Sequence, residues 1–116
     1  MGTVEDCIFC RIVRGEIDAR VAHRADGMLA FHDVAPKAPV HLLVIPERHV
    51  PSIAEVDALS LEERGRMLSF IAQTASRAGL DEAGYRVTTN HGKDGRQSVH
   101  HLHWHVMGGI RLSDTM

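Results

Sequence analysis

The sequence predicts an α+β fold, an antiparallel sheet with one long and one short helix. Three observations carry that reading. "SLEERGRMLSFIAQTASRAGL" (60–80) is an amphipathic helix with both ends marked. "VHLLVIP" (40–46) is a strongly apolar strand closed by Pro46. "HLHWHVM" (101–107) alternates histidine with apolar residues at the period of a strand.

Each element has its own local reason. "DCIFCRIVRG" sets Ile8, Phe9, Ile12 and Val13 at helical spacing. Asp6 is the expected N-cap and Gly15 the stop, so this helix is short. "RVAHR" (20–24) is a weaker strand. "MLAFHDV" (28–34) is a strand running into the turn "APKAP", and it should pair antiparallel with 40–46. Ser60 and Glu63 form a capping box for the long helix, and Gly79 suits its C-terminal end. Its expected apolar stripe is Leu61, Leu68, Ile71, Ala72 and Ala75. "YRVTTN" (85–90) is a strand and "HGKDGRQ" (91–97) a glycine-containing loop. The total is about five strands.

Bulk composition narrows the class. A chain of 116 residues suits one domain, 1–116, with a modest core that a second copy would help to bury. Hydrophobic residues at 44% and charged residues at 24% fit an ordinary soluble globular protein. A net charge of −2 argues against a broad nucleic-acid footprint, though not against a nucleotide in a pocket. No apolar run approaches the ~20 residues of a membrane span. "MGTVEDCIFC" lacks the basic start and apolar run of a signal peptide, and Asp6 breaks the myristoylation pattern. The expected location is cytoplasmic, where Cys7 and Cys10 stay reduced.

The nine histidines stand out against a single Tyr and a single Trp. On a strand, residues i and i+2 point the same way, about 6.8 Å apart. Leu102, Trp104 and Val106 should therefore face the long helix. His101, His103 and His105 should share the other, half-open face. A solvated face would be served as well by Lys, Thr or Glu. Two chemical readings remain. Three imidazoles with a water make an open zinc site. Alternatively, one imidazole is a nucleophile toward phosphorus, its other nitrogen pinned by a hydrogen bond, with a neighbour stabilising the oxygens.

"HLHWHVM" resembles the His-x-His-x-His-x-x motif of the histidine triad (HIT) superfamily. The resemblance runs along nearly the whole chain through "CIFCRIVRGEI", "AFHDVAPKAPVHLLVIPERHV", "YRVTTNHGKDGRQSV" and "VMGG". "QSV" before the motif and Gly-Gly after it look like the Hint branch, the nucleoside phosphoramidate hydrolases. The resemblance implies that His103 is the nucleophile, forming a nucleotidyl-histidine intermediate that water resolves. His105 would contact the phosphate, His41 would line the site, and Ser98 would help protonate the departing amine. Asn90 and Gln97 would hold the phosphate region, with Val99 beside them. Asp33 would bind the ribose hydroxyls, although by itself it also reads as a turn residue. Ile8, Phe9, Ile12, Phe31, His32 and Val34 would form the base cleft, and the same residues read equally well as simple core. An apolar slot with few base-edge donors implies weak base discrimination, with purines preferred for stacking area. The implied ligands are a purine nucleoside monophosphate or phosphoramidate, and the implied assembly is a homodimer. No catalytic metal is required.

Three positions depart from the family pattern. Arg96 stands where Gly is common. His100 replaces an aromatic residue. Trp104 is bulkier than usual, but it should face away from the site and alter packing only.

Cys7 and Cys10 have three readings. The redox reading lacks a preceding strand. The cysteines also serve as small core fillers. Some bacterial HIT proteins pair such a Cys-x-x-Cys with a histidine after the 40–46 strand and with the first triad histidine. Here those are His49 and His101, and a closed Cys₂His₂ zinc site would be structural. The alternatives to the phosphoramidase reading are a dinucleoside polyphosphate hydrolase, a metal-dependent hydrolase using His101, His103 and His105, and a nucleotide-binding module without turnover.

Overall fold

A computed structural model describes residues 4–114; residues 1–3 and 115–116 of the expected 1–116 domain lie outside the described range. The elements in chain order are α1 (Ile8–Val13), β1 (Val21–Ala25), β2 (Met28–His32), β3 (Val40–Pro46), a 3₁₀ helix (Ile53–Ala58), α2 (Leu61–Arg77), β4 (Tyr85–Thr88) and β5 (Trp104–Gly108). The five strands make one sheet in the order β1-β2-β3-β5-β4, antiparallel throughout. No described helix is long and apolar enough to cross a membrane.

Strand alternation divides the core in two. Ala30, Leu42, Val44 and Val106 face α2 and pack with Met67, Phe70, Ile71 and Ala75. Leu29, Phe31, Leu43 and Ile45 face the other way and pack with Phe9 of α1. Burial on both faces explains why β3 is apolar almost throughout.

Both ends of α2 follow the sequence. Ser60 Oγ accepts from Glu63 N at 3.0 Å, and Glu63 Oε1 accepts from Ser60 N at 2.9 Å. Gly79 takes φ +79° past the C-terminus. The buried stripe differs from the expected one. Ile71 and Ala75 are buried, but Leu61 is 80% exposed, Leu68 is 59% exposed and Ala72 is also exposed. Met67, Phe70 and Thr74 complete the buried face. The helix carries two apolar stripes, and the sheet selected the one containing Phe70.

Three further boundaries differ. The N-cap of α1 is Cys7, whose Sγ accepts from Cys10 N at 3.4 Å, and Asp6 is not the cap. The 3₁₀ helix was not expected, although Ser52 caps it and also donates to Glu55, the Ser-x-x-Glu signal of a helix start. β5 begins at Trp104, three residues later than the alternation suggests. Leu102 N bonds Val50 O at 2.6 Å, so the chain joins the ladder only after the first two histidines of the motif. Trp104 does face α2, where its indole N–H meets Met67 Sδ at 3.4 Å.

Candidate functional site

The face opposite α2 gathers the histidines, and it is more closed than the expected half-open surface. His101 is fully buried and His103 is only 3% exposed, because α1 lies over them. Phe9 makes edge contacts with both rings, at centroid distances of 5.9 and 5.1 Å. His105 remains half-buried.

Hydrogen bonds fix the tautomers. His103 Nδ1 donates to the main-chain carbonyl of His101 at 2.7 Å. That leaves Nε2 as the bare nitrogen. It has no partner among the described residues, yet it is not one of their enclosed polar atoms that lack a partner, so it opens to solvent. A second chain runs beside it. Lys37 N donates to His41 Nδ1 at 3.0 Å, so the His41 proton sits on Nε2. His41 Nε2 then donates to His105 Nδ1 at 2.9 Å, so His105 carries its proton on Nε2 as a free donor. The rings of His103 and His105 are 5.2 Å apart. A bare nitrogen and an N–H donor thus stand side by side, suited to a phosphorus atom and its oxygens.

Burial sets the charge state. It pushes His105 down to about 4, and the neighbouring His103 and His41 add to the effect. Burial also lowers His103 and His41, and in both cases Asp33 opposes the shift. All three imidazoles are therefore neutral at pH 7.

Asp33 shapes the turn with one oxygen and faces the histidines with the other. One oxygen, Oδ1, accepts from Ala35 N at 2.9 Å and shapes the turn. Oδ2 lies 3.4 Å from His41 Nε2. The amides of Asn90 and Gln97 are engaged within the loop they flank. Asn90 Nδ2 donates to Gly95 O at 2.7 Å. Gln97 accepts from Gly92 N and donates to Pro51 O and Val99 O. A Cβ on Gly95 would collide with the His91 carbonyl, so this loop needs glycine there. Arg96 follows it at φ +61°, exposed, in a conformation costing roughly 1 kcal/mol for a non-glycine residue.

The remaining candidates separate. Phe9 and Phe31 are buried against each other at 5.5 Å, with Ile12 and Val99 packed on the same cluster. Ile8, Ser98 and Val99 line a cleft of about 390 Å³ together with His49 and the exposed His100. Ser98 is exposed and makes no hydrogen bond within the described residues. Val34 is wholly exposed. The side chain of His32 does not join the others. It lines a cleft on the α2 face, because it follows Phe31 on the strand.

The second cluster is Cys7, Cys10, His49 and His101, whose ligand atoms all lie within 4.8 Å of one another. Cys10 Sγ is 3.3 Å from His49 Nδ1 and 3.5 Å from His101 Nδ1, and Cys7 Sγ is 3.4 Å from His101 Nδ1. Bonds of ~2.3 Å to sulfur and ~2.0 Å to nitrogen place tetrahedral donors about 3.5 Å apart, so the spacing fits zinc. His101 Nε2 donates to Pro46 O at 2.8 Å, which turns the lone pair on Nδ1 toward the cysteines. His101, His103 and His105 do not converge on one point. His101 Nδ1 faces the thiols and His103 Nδ1 is spent on a carbonyl. The alternative three-histidine metal site is therefore not assembled, whereas the four donors expected to hold a structural zinc do lie together. Asp33, His41 and His105 also lie close enough to hold an ion, but the two imidazoles already bond each other.

The lowered histidines make stability depend on pH. Below the ordinary value of 6.5 the unfolded chain takes protons that folded His105 refuses until about 4. Stability is therefore present in full above pH 6.5 and is lost as pH falls through about 4. Urea midpoints should fall steadily from pH 7 to pH 4.5, and equal midpoints would contradict the burial described here.

The HIT domain family model matches residues 14–112. The purine nucleoside phosphoramidase of Escherichia coli K12 is 38% identical over 112 residues, 97% of this chain and 94% of that protein. An uncharacterized HIT-like protein of Synechococcus elongatus is 44% identical over 109 residues, 94% of this chain and 95% of that one. Among solved structures, a HIT family hydrolase from Clostridium thermocellum superposes with a TM-score of 0.89 at 32% identity, covering 96% of both chains. A histidine triad protein from Clostridium difficile gives 0.87 at 38% identity, again over 96% of both chains. With this match over most of its length, and with the histidine cluster at its centre, the chain belongs to the HIT domain family.

Proposed function

We propose that this protein hydrolyses the P–N bond of purine nucleoside 5′-phosphoramidates through a nucleotidyl-histidine intermediate on His103. The observation that carries the reading is the bond from His103 Nδ1 to the His101 carbonyl, which leaves Nε2 bare and neutral. The name of the Escherichia coli relative supplies the substrate class.

Nε2 attacks the α-phosphorus and forms a P–N bond as the bond to the amine breaks. The departing amine takes a proton from the Ser98 hydroxyl, which makes no hydrogen bond among the described residues. Water then attacks phosphorus and gives a proton back to the Ser98 oxygen, the electron pair of the P–N bond returns to the imidazole, and the nucleoside monophosphate leaves. His105 Nε2–H donates to a phosphoryl oxygen through both steps, aligned by His41. Preset donors of this kind need no reorganisation as charge develops. Asp33 receives the ribose hydroxyls, while Asn90 and Gln97 act by holding the phosphate loop. Ile8, Ile12 and Val99 offer the base an apolar wall, with Phe9 and Phe31 behind it.

Turnover of an adenosine 5′-phosphoramidate bearing a fluorescent amine tests this. His103→Ala should lower kcat/KM by ~10³-fold or more with folding intact. Unchanged turnover, or cleavage confined to dinucleoside polyphosphates, would reject the proposal.

Zinc at Cys7, Cys10, His49 and His101 would be structural, tying α1 to the end of β3 and the approach to β5. It would serve no step at phosphorus. Chelation should lower Tm by more than about 5 °C, with recovery on adding zinc back. A Tm indifferent to chelator in metal-loaded protein would count against the site.

The exposed Leu61, Leu68 and Ala72 on one face of α2, and the edge strand β4 with its exposed Tyr85, support a homodimer. Leu68→Glu should shift the molar mass measured by light scattering from two chains to one. A wild type that is already monomeric would exclude this interface.

A further inference from the structure

The α2 face of the sheet holds a cleft that the proposed reaction does not use. It lies between β1, β2 and β3 and the C-terminal half of α2. Its volume is about 560 Å³, within the range of small-molecule sites. Strand alternation brings His23 and His32 to it, with Val40 and Leu42 as an apolar wall, and α2 adds Thr74 and Arg77.

The polar groups at its mouth mark it as more than a packing gap. Arg77 makes no ion pair among the described residues, whereas Arg64 and Arg66 on the same helix pair with Asp57 and Glu62. The two imidazoles complete the polar side. His23 lies flat on Phe70, with ring centroids 4.6 Å apart and planes within 6°, so its edge is fixed. Burial first, then Arg77, lowers His23, against a smaller opposing effect from Asp26. Burial and Arg20 lower His32. Both rings are therefore neutral at pH 7, and each has one donor and one acceptor to offer.

We propose that this cleft is a second ligand site, for a small carboxylate with an apolar body. The guanidinium of Arg77 matches a carboxylate in shape and charge, and the neutral rings of His23 and His32 offer N–H donors beside it. Val40 and Leu42 receive the apolar part. Inorganic phosphate would leave that wall uncovered and would find one guanidinium where it needs more charge. The site does not depend on the phosphoramidase reading, because its residues lie on the opposite face from His103.

The test is an amide NMR titration of the intact protein with phenylacetate, alongside phenylacetamide and inorganic phosphate. Phenylacetate should give saturable shifts at His23, His32, Thr74 and Arg77. Affinity should fall at least tenfold in Arg77→Gln and for phenylacetamide. The proposal is overturned if shifts are absent or centre on Asp33 and Ser98. Equal binding of the amide or of phosphate, or unchanged affinity in Arg77→Gln, would overturn it as well.

Discussion

The site hangs on His101. Its imidazole gives the Nε2 proton to the Pro46 carbonyl, and its own carbonyl takes the Nδ1 proton of His103. The first bond aims a lone pair at Cys7 and Cys10. The second leaves a lone pair on His103 for chemistry. One fully buried residue thus sets the protonation pattern of two clusters. Burial strengthens both bonds and removes water as a competitor. It also pushes His101 down to about 4, so the ring stays neutral and keeps its lone pair at physiological pH.

This arrangement requires a lid. α1 has six residues, far too few to be stable as an isolated helix. It is held by Phe9 in the second core cluster and by the thiols at its N-terminal end. The same short helix therefore buries His103 and brings the cysteines to His49 and His101. The tautomer of His103 and the Cys₂His₂ cluster are coupled through one small element, which makes the state of the thiols relevant to the geometry of His103.

The central strands serve two faces at once. Phe31 faces α1 while His32 faces α2. Leu43 and Leu42 divide in the same way on β3. A side-chain period of two lets a thin sheet carry chemistry on one side and a separate cleft on the other.

The sequence by itself determined the elements whose signals are local. β3 runs Val40–Pro46 as its apolar pattern requires, and the capping box and Gly79 bound α2 as expected. The spacing of "HLHWHVM" set which residues oppose each other and carried the family resemblance. What depended on partners distant in the chain was not legible. Val50 takes the Leu102 N–H and delays β5, and the thiols take over the cap that Asp6 was expected to supply. α2 buries Met67, Phe70 and Thr74 where Leu61, Leu68 and Ala72 were expected, because a helix with two apolar stripes is oriented by what it packs against. The direction of each imidazole proton also came only from tertiary contacts, since a tautomer is fixed by whichever group stands opposite the other nitrogen.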